Sequence, residues 1–217
     1  MKKLFLSLCS ILLLGISQVQ AQYYFSVSAS TKVVFSPGNL QYHCKNKTWR
    51  FAPNQYTVIG AANKNISSTY NGYIDLFGWG TSGWNNGNTY YQPYSNQNTT
   101  PTIDELRKNP IPAHYGPKSG SNTNLSLTGT YANADWGVYN VISGYSKGTW
   151  RTLTQSEMEY IFKTRTNADK KYSLATVNGV KGMMLLPDNW TLPSDMTFSP
   201  AQTNYTVNVY TTAQWQK

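Results

Sequence analysis

Alternating apolar and polar positions predict two β-hairpins. Such an alternation runs over 40–44 and again over 48–51, and a short polar turn, Lys45-Asn46-Lys47, separates the two runs. Two alternating runs joined in this way are typical of a hairpin. A second hairpin is predicted over 175–186, where Asn178-Gly179 is the strongest two-residue turn signal. The run 56–59 is a candidate for a third strand beside the first hairpin.

Helical periodicity is clearest after residue 153. Thr154 and Glu157 have the spacing of a capping box, and Met158, Ile161 and Phe162 follow at i, i+3 and i+4. This pattern predicts a main helix from Gln155 to about Arg165 that buries the apolar stripe against a sheet.

Long loops fill much of the middle of the chain. Asn, Ser, Thr, Gly and Tyr crowd residues 61–134, although the glycine-punctuated run 73–84 is apolar and is expected to be buried. Short helical segments are predicted at 103–108 and 135–142. Loops of this length are uncommon in compact domains unless they bind something or are disordered. The region is therefore where we expect a binding site.

The C-terminal residues 211–217 have the pattern of a helix start, but the chain ends after about one turn. One helical turn fixes backbone entropy without enough hydrogen bonds to offset it. We therefore expect a truncated domain or a frayed tail. No repeat or second composition regime is present, so residues 22–217 are interpreted as a single domain, which is incomplete if the chain is truncated.

The first 21 residues have the features of a signal peptide. A lysine pair at 2–3 precedes the short apolar run 4–16, and Val19-Gln20-Ala21 places small residues at the cleavage site. An N-terminal core helix and a lipoprotein acylated at Cys9 are the weaker alternatives. The mature chain would begin at Gln22 and be secreted, periplasmic or displayed on the cell surface, with no transmembrane segment.

The charges and the reactive side chains limit the classes of function that fit the sequence. The chain has 18 Lys and Arg residues against 9 Asp and Glu, a net charge of +9, but they are scattered, so nucleic acid is not the expected partner. Beyond the signal peptide the cysteine is Cys44, and the two histidines are His43 and His114. No metal set, cofactor fingerprint or converging carboxylate pair can be assembled. The prediction is no catalytic site, no metal and no cofactor.

Two groups of proteins resemble parts of this sequence. The segment Arg151-Thr152-Leu153-Thr154-Gln155-Ser156-Glu157-Met158-Glu159-Tyr160 resembles the R-L-P-T-x-x-E-W-E-Y motif of the formylglycine-generating (sulfatase-modifying) family, with Met158 in place of its tryptophan and Leu153 in place of its proline. The runs at 35–42, 75–83, 134–137 and 185–190 are similar to secreted paralogous-domain surface proteins of gut bacteria.

These resemblances imply an α+β, C-type-lectin-like mixed fold with short antiparallel strands, one main helix and long loops, truncated at the C-terminus. The chemistry of the formylglycine enzymes does not carry over, because their active cysteines follow the helix motif and no cysteine follows Cys44 here.

The leading functional hypothesis is a non-catalytic binding protein for a glycan or a surface protein. Trp84, Asn85, Tyr90, Tyr91 and Tyr94 would stack on sugar rings and hydrogen-bond to hydroxyls. The competing interpretation is that Trp84 fills the core and that the tyrosines are scattered over the surface. Two further functions remain open, a structural or appendage subunit and a degenerate hydrolase or modifying enzyme.

Overall fold

The computed structural model describes residues 23–65, 67, 69–77, 82–84, 127 and 129–217. Within them, short strands form one two-stranded and two three-stranded sheets, accompanied by short helices, which confirms the α+β class. Strands β1 (Phe25–Ser26) and β2 (Lys32–Val33) pair antiparallel. No helix in this described part is long and apolar enough to cross a membrane. The signal peptide and the helix expected at 103–108 lie outside the described residues.

The first three-stranded sheet contains the first predicted hairpin. Strands β3 (Leu40–His43) and β4 (Thr48–Phe51) pair antiparallel, and β5 (Tyr73–Ile74) lies on the other side of β3. Tyr42 pairs with Trp49 across the hairpin, so alternate residues face the same side. The hairpin prediction is confirmed.

The inner face of the first sheet holds one of the two hydrophobic clusters. Tyr42, Cys44 and Ile74 are fully buried there, and Trp49 and Ile142 pack against them. The backbone N–H of Ser143 donates to the Trp49 carbonyl at 3.1 Å, so the outer edge of β4 is covered. The apolar residues of the alternating hairpin therefore form this part of the core.

The run 56–59 does not form a strand, and that prediction is wrong. Val58 and Ile59 are 53% and 51% exposed, and Thr57 N–H closes a turn onto the Asn54 carbonyl. Gly60 has a φ of +85° and donates its N–H to an Asp75 carboxylate oxygen at 2.7 Å. The segment is thereby held as a loop against the end of β5, which takes the third place in the sheet.

The second three-stranded sheet contains the second predicted hairpin. Strands β6 (Tyr172–Val177) and β7 (Val180–Leu185) pair antiparallel, and β8 (Val209–Tyr210) runs parallel to β6 on its other side. Asn178 and Gly179 have φ values of 49° and 80°. Both lie in the left-handed region that a two-residue hairpin turn requires, which confirms this prediction.

The helices are short and most begin at a side-chain cap. Asp135 caps α1 (Trp136–Tyr139), and Thr154 and Glu157 form the predicted capping box of α2 (Gln155–Glu159). A wider π-helical turn, Tyr160–Thr164, continues α2, and a single capped turn near the C-terminus forms α3 (Thr212–Trp215). Three 3-10 turns are also present among the described residues, at Asn63–Asn65, Gly129–Ala134 and Ala168–Lys170.

The main helix was predicted in the right place, but its buried face differs from the prediction. Ile161 is fully buried and Phe162 is half-buried, whereas Met158 is 41% exposed. In the π turn, Arg165 N–H donates to the Tyr160 carbonyl five residues earlier. This wider turn changes the angular spacing of the side chains, so Ile161 and Arg165 face the interior and Met158 does not.

Candidate functional site: the polar face of the first sheet

The outer face of the first sheet carries polar and aromatic side chains opposite the hydrophobic core. They stand in two rows across the three strands, because the cross-strand partners are fixed by the hairpin register. We call this surface the polar face, and its members are Thr48, His43 and Tyr73 in one row and Arg50, Gln41 and Asp75 in the other.

Arg50 lies across the polar face. Its guanidinium carbon is 3.3 Å from the centre of the Tyr73 ring, close enough for a cation–π contact. Its Nε donates a hydrogen bond to Gln41 Oε1 at 3.0 Å. These two contacts fix both the plane and the direction of the guanidinium group.

Gln41 and Asp75 extend the hydrogen-bond network of Arg50 into the protein. Gln41 is 7% exposed, and its Nε2 donates to Asp75 Oδ2 at 3.5 Å. The other carboxylate oxygen of Asp75 accepts the Gly60 N–H, and Asn63 Oδ1 accepts the backbone N–H of Asp75. A hydrogen-bonded relay therefore runs from the loop around residue 60 to Arg50.

His43 flanks the same ring from the other row. Its imidazole meets the Tyr73 ring edge-on at 4.8 Å between centroids, and its Nδ1 accepts the Asn46 N–H at 3.2 Å. In the neutral imidazole the proton is consequently on Nε2, which makes that atom a donor. Tyr73 thus has Arg50 against it and a histidine donor beside it.

The terminal nitrogens of Arg50 are the unused donors of this network. Arg50 is half-buried, and within the described residues its Nη1 and Nη2 have neither a hydrogen-bond acceptor nor a carboxylate. A guanidinium whose Nε is already bonded presents these two nitrogens as a fork. The polar face therefore offers a positioned pair of charged donors.

The other two arginines of the described chain each bind a carboxylate. Arg151 contacts both oxygens of Glu157, at 2.7 Å and 2.5 Å, and this hydrogen bonding lowers the pKa of Glu157 from 4.5 to about 2. Arg165 is 3% exposed and donates to Asp188 at 3.0 Å. Arg50 differs from both.

The Arg165–Asp188 pair ties several elements together. Burial alone would raise the pKa of Asp188, but hydrogen bonds from the Ser26 N–H and Lys171 lower it overall. Burial is also the first cause of the lowered pKa of Arg165. Arg165 donates from Nε, Nη1 and Nη2 to protein oxygens, which makes the cluster a structural link between β1, the π turn and the segment after β7.

Cys44 does not have the environment of a nucleophile. The side chain is fully buried on the inner face, and burial raises the pKa of its thiol. His43, its neighbour in sequence, points to the opposite face of the sheet, as strand alternation requires. Within the described ranges, no group of three His, Cys, Asp or Glu side chains is placed to hold a metal ion.

The predicted ligand-binding residues are only partly described. Trp84 is 9% exposed, so little of its ring is open to a ligand, in keeping with the core-filling interpretation. Asn85, Tyr90, Tyr91 and Tyr94 lie outside the described residues, and their role stays a prediction.

The sequence contained a signal for the polar face that the functional prediction did not use. Alternation around the first hairpin already places Gln41, His43 and Arg50 on one side. What the pattern did not show is that Tyr73 and Asp75 join them, since β5 follows more than twenty residues after β4.

An apolar cleft forms a second concave feature. It has a volume of about 2010 Å³ and is bordered by residues of both three-stranded sheets, among them Leu40, Phe51, Met184, Leu186 and Tyr210. Strand β7 lines it along the whole of its length. Charged side chains also line the cleft, but Arg151 is paired with Glu157 and Asp135 accepts backbone N–H groups, so we place the candidate site on the polar face.

Comparisons with family models, curated proteins and solved structures find no match to this chain.

Proposed function

We propose that the chain is an exported, non-catalytic binding module of C-type-lectin-like architecture, and that its ligand is a glycan. The observation that carries the proposal is the Arg50 fork. Two charged donors are held in place by Tyr73 and Gln41, yet they have no acceptor among the described residues. A charged donor pair held in one geometry without a protein partner is suited to an external acceptor.

The remainder of the polar face fits this role. Thr48 is exposed, and its hydroxyl can both donate and accept, whereas its cross-strand partner His43 is 8% exposed and packs against Tyr73. Neutral donors and acceptors beside a charged one are what a sugar with several hydroxyl groups needs. We retain Asn85, Tyr90, Tyr91 and Tyr94 as a proposed second contact region, where aromatic rings would stack on sugar faces.

A glycan array probed with the purified chain 22–217 tests the function. We expect a subset of glycans to be retained, and retention to fall when Arg50 is replaced in Arg50→Gln. Lys163→Gln is the matched control, because it removes the same charge from a side chain that is 70% exposed on the main helix. Absence of binding to every glycan on the array would reject the proposal.

Export is tested separately. The site after Ala21 predicts that secreted material begins at Gln22. Mass spectrometry of the protein recovered outside the cytoplasm would give this N-terminus. An intact Met1 or a diacylglycerol on Cys9 would show that the signal-peptide interpretation is wrong.

A structural subunit that binds its own kind is the second candidate, and β7 favours it. Thr176 N–H donates to the Asn208 carbonyl, so the alternate residues of β6 bond to β7 through Val180, Gly182 and Met184. Lys181, Met183 and Leu185 consequently direct their backbone groups away from β6. Among the described residues no strand pairs with this edge of β7. Such an edge is a template for another strand, and Met183 is 57% exposed on it.

The oligomeric state of the purified chain distinguishes the two candidates. If β7 pairs with a second copy, Met183→Lys should convert an oligomer to a monomer in light scattering, because a charge on an edge strand opposes pairing. Met158→Lys makes the same change at a 41% exposed position on the main helix and should leave the oligomer intact. A wild-type monomer at high concentration would exclude the subunit function.

A further inference from the structure

We infer that the ligand is an acidic sugar, and that its carboxylate binds end-on to Nη1 and Nη2 of Arg50. The inference rests on the proposed glycan-binding function and specifies the chemistry of the same site.

The other two arginines of the described residues show which partner a guanidinium binds in this protein. Arg151 binds the carboxylate of Glu157 with both of its terminal nitrogens, and Arg165 binds the carboxylate of Asp188 with Nη1. The planar fork of a guanidinium matches the two oxygens of a carboxylate, which makes this pairing strong and directional. Arg50 presents the same two atoms as Arg151, without a carboxylate in the described part of the chain. A ligand that carries a carboxylate, like the side chain of Glu157, would therefore fit the terminal nitrogens of Arg50.

The Arg50 guanidinium is preorganised for binding. The Tyr73 ring and Gln41 Oε1 hold the guanidinium before any ligand arrives, so little side-chain entropy remains to be lost on binding. Because Nε is engaged, a carboxylate has only the end-on approach. The net charge of +9 becomes +7 when Lys2 and Lys3 leave with the signal peptide, and this positive charge raises the local concentration of anions around the protein.

Asp75 moderates the attraction of the fork for any anion. It is joined to Arg50 through the Gln41 amide and forms no ion pair with it among the described residues. Its negative charge weakens the attraction for a carboxylate and for a phosphate alike. The choice of a carboxylate therefore rests on the pairing that Arg151 makes with Glu157, and not on the charge of the ligand.

The position of the fork favours a sugar over an acidic peptide. Peptides that bind sheets commonly pair with an exposed strand edge through their backbone. Arg50 is on the face of its sheet, and Ile142 and Ser143 cover the edge of β4 beside it. The exposed Thr48 hydroxyl, in the neighbouring row of the same face, is available to a sugar hydroxyl group.

Calorimetric titration with matched ligand pairs tests the inference. The probes are oligogalacturonate, a hyaluronan oligosaccharide and sialyllactose, each compared with its methyl ester, in which the carboxylate charge is removed. We expect at least one acid to bind about tenfold or more tightly than its ester at low salt, as loss of a charge-assisted hydrogen bond implies. The preference should weaken as salt is added.

Three variants connect this preference to the fork. Arg50→Gln should remove the difference between acid and ester, and Arg50→Lys should reduce it, since an ammonium keeps the charge but has no fork. Lys163→Gln should behave as the wild type. The thermal unfolding midpoint of each variant shows that it is folded, and Arg50→Lys gives the answer if Arg50→Gln does not fold.

The outcomes separate the inference from the function on which it rests. Acids and esters that bind equally, or neutral glycans that bind while all three acids do not, would overturn the acidic-sugar inference and leave glycan binding in place. Binding of a poly-glutamate peptide in preference to the sugars would also overturn it and would make the partner a protein. Failure of every acidic and neutral glycan would remove the proposed function as well.

Discussion

The outer face of the first sheet and the interior of the second sheet both contain networks of polar side chains, and the two networks end differently. In the second sheet Asn208 is 3% exposed, and its amide donates to Ser173 Oγ and the Ser199 carbonyl, both at 2.8 Å. Its Oδ1 accepts the Ser199 N–H and the Tyr210 hydroxyl. Every strong donor and acceptor of Asn208 is used. On the polar face, the network ends at the unused nitrogens of Arg50.

The difference indicates what each network does. A buried network in which all groups are satisfied stabilises one arrangement of the chain, and each missing member leaves buried groups unpaired. A network that ends in charged donors at the surface adds little to folding, since water already solvates those donors. We therefore expect changes in the Asn208 network to alter stability, and changes at Arg50 to alter binding.

The largest expected effect is the loss of Asn208. Asn208→Ala leaves the Ser199 N–H without its acceptor and the Ser199 carbonyl without its amide donor, and should lower the free energy of unfolding by about 3 kcal/mol. Urea denaturation measures this change. Gln202→Ala removes an amide of similar size whose side chain bonds at the surface, and should cost less than about 1 kcal/mol. Similar values for both variants would contradict a stabilising network.

Gln41→Ala should have an intermediate effect on stability and a clear one on binding. Gln41 is buried, but its partners Arg50 Nε and Asp75 are reached by water once it is removed, so we expect a loss of about 1 kcal/mol. The guanidinium would lose its fixed direction, and affinity for an acidic glycan should fall even though Arg50 is present. Unchanged affinity would show that the relay does not position Arg50.

The Arg151–Glu157 pair should make a small contribution to stability, and we expect that contribution to depend on pH. The hydrogen bond from Arg151 lowers the pKa of Glu157 from 4.5 to about 2. A lowered carboxyl pKa stabilises the folded state above pH 4.5, and that contribution is lost as the pH falls toward 2. Because Arg151 is partly exposed, we expect no more than about 1 kcal/mol. Urea midpoints from pH 6 to pH 2.5 should fall less steeply in Glu157→Gln than in the wild type.

The smallest expected change in stability is at Arg50 itself. Arg50→Gln should alter the free energy of unfolding by about 0.5 kcal/mol or less, because the lost cation–π contact is half-exposed, water can reach Gln41 Oε1 once the guanidinium is removed, and the Nη atoms have no partner among the described residues. The same urea experiment measures it. A loss comparable with that of Asn208→Ala would mean that Arg50 is a structural residue.

Local patterns in the sequence predicted much of the fold. Both hairpins, the capping box at Thr154 and the helical turn after Asp135 are confirmed, since each depends on residues close in sequence. The exposure of Met158 was missed because a π turn changes the helical spacing without a sequence signature. The pairing of β5 and β8 with distant strands was also missed, because it joins residues separated by long loops.

The candidate site was predictable only in part. Gln41, His43 and Arg50 share a face through hairpin alternation, but the contacts that hold the fork require Tyr73 and Asp75 from β5 and its end. The functional prediction was placed on the aromatic loop because residues that can stack on sugars are recognisable from the sequence alone. A charged donor without a partner is visible only once the neighbours of Arg50 are known.

The most direct test observes the Arg50 side chain while ligand is added. In ¹H–¹⁵N spectra of the arginine side chains, assigned with the Arg50→Gln variant, we expect oligogalacturonate or another acidic glycan to shift the Nη signals of Arg50. The signals of Arg151 and Arg165 should stay in place, because both already bind carboxylates. If the ligand binds while the Arg50 signals do not move and only backbone amides within residues 79–94 shift, the polar face is not the binding site.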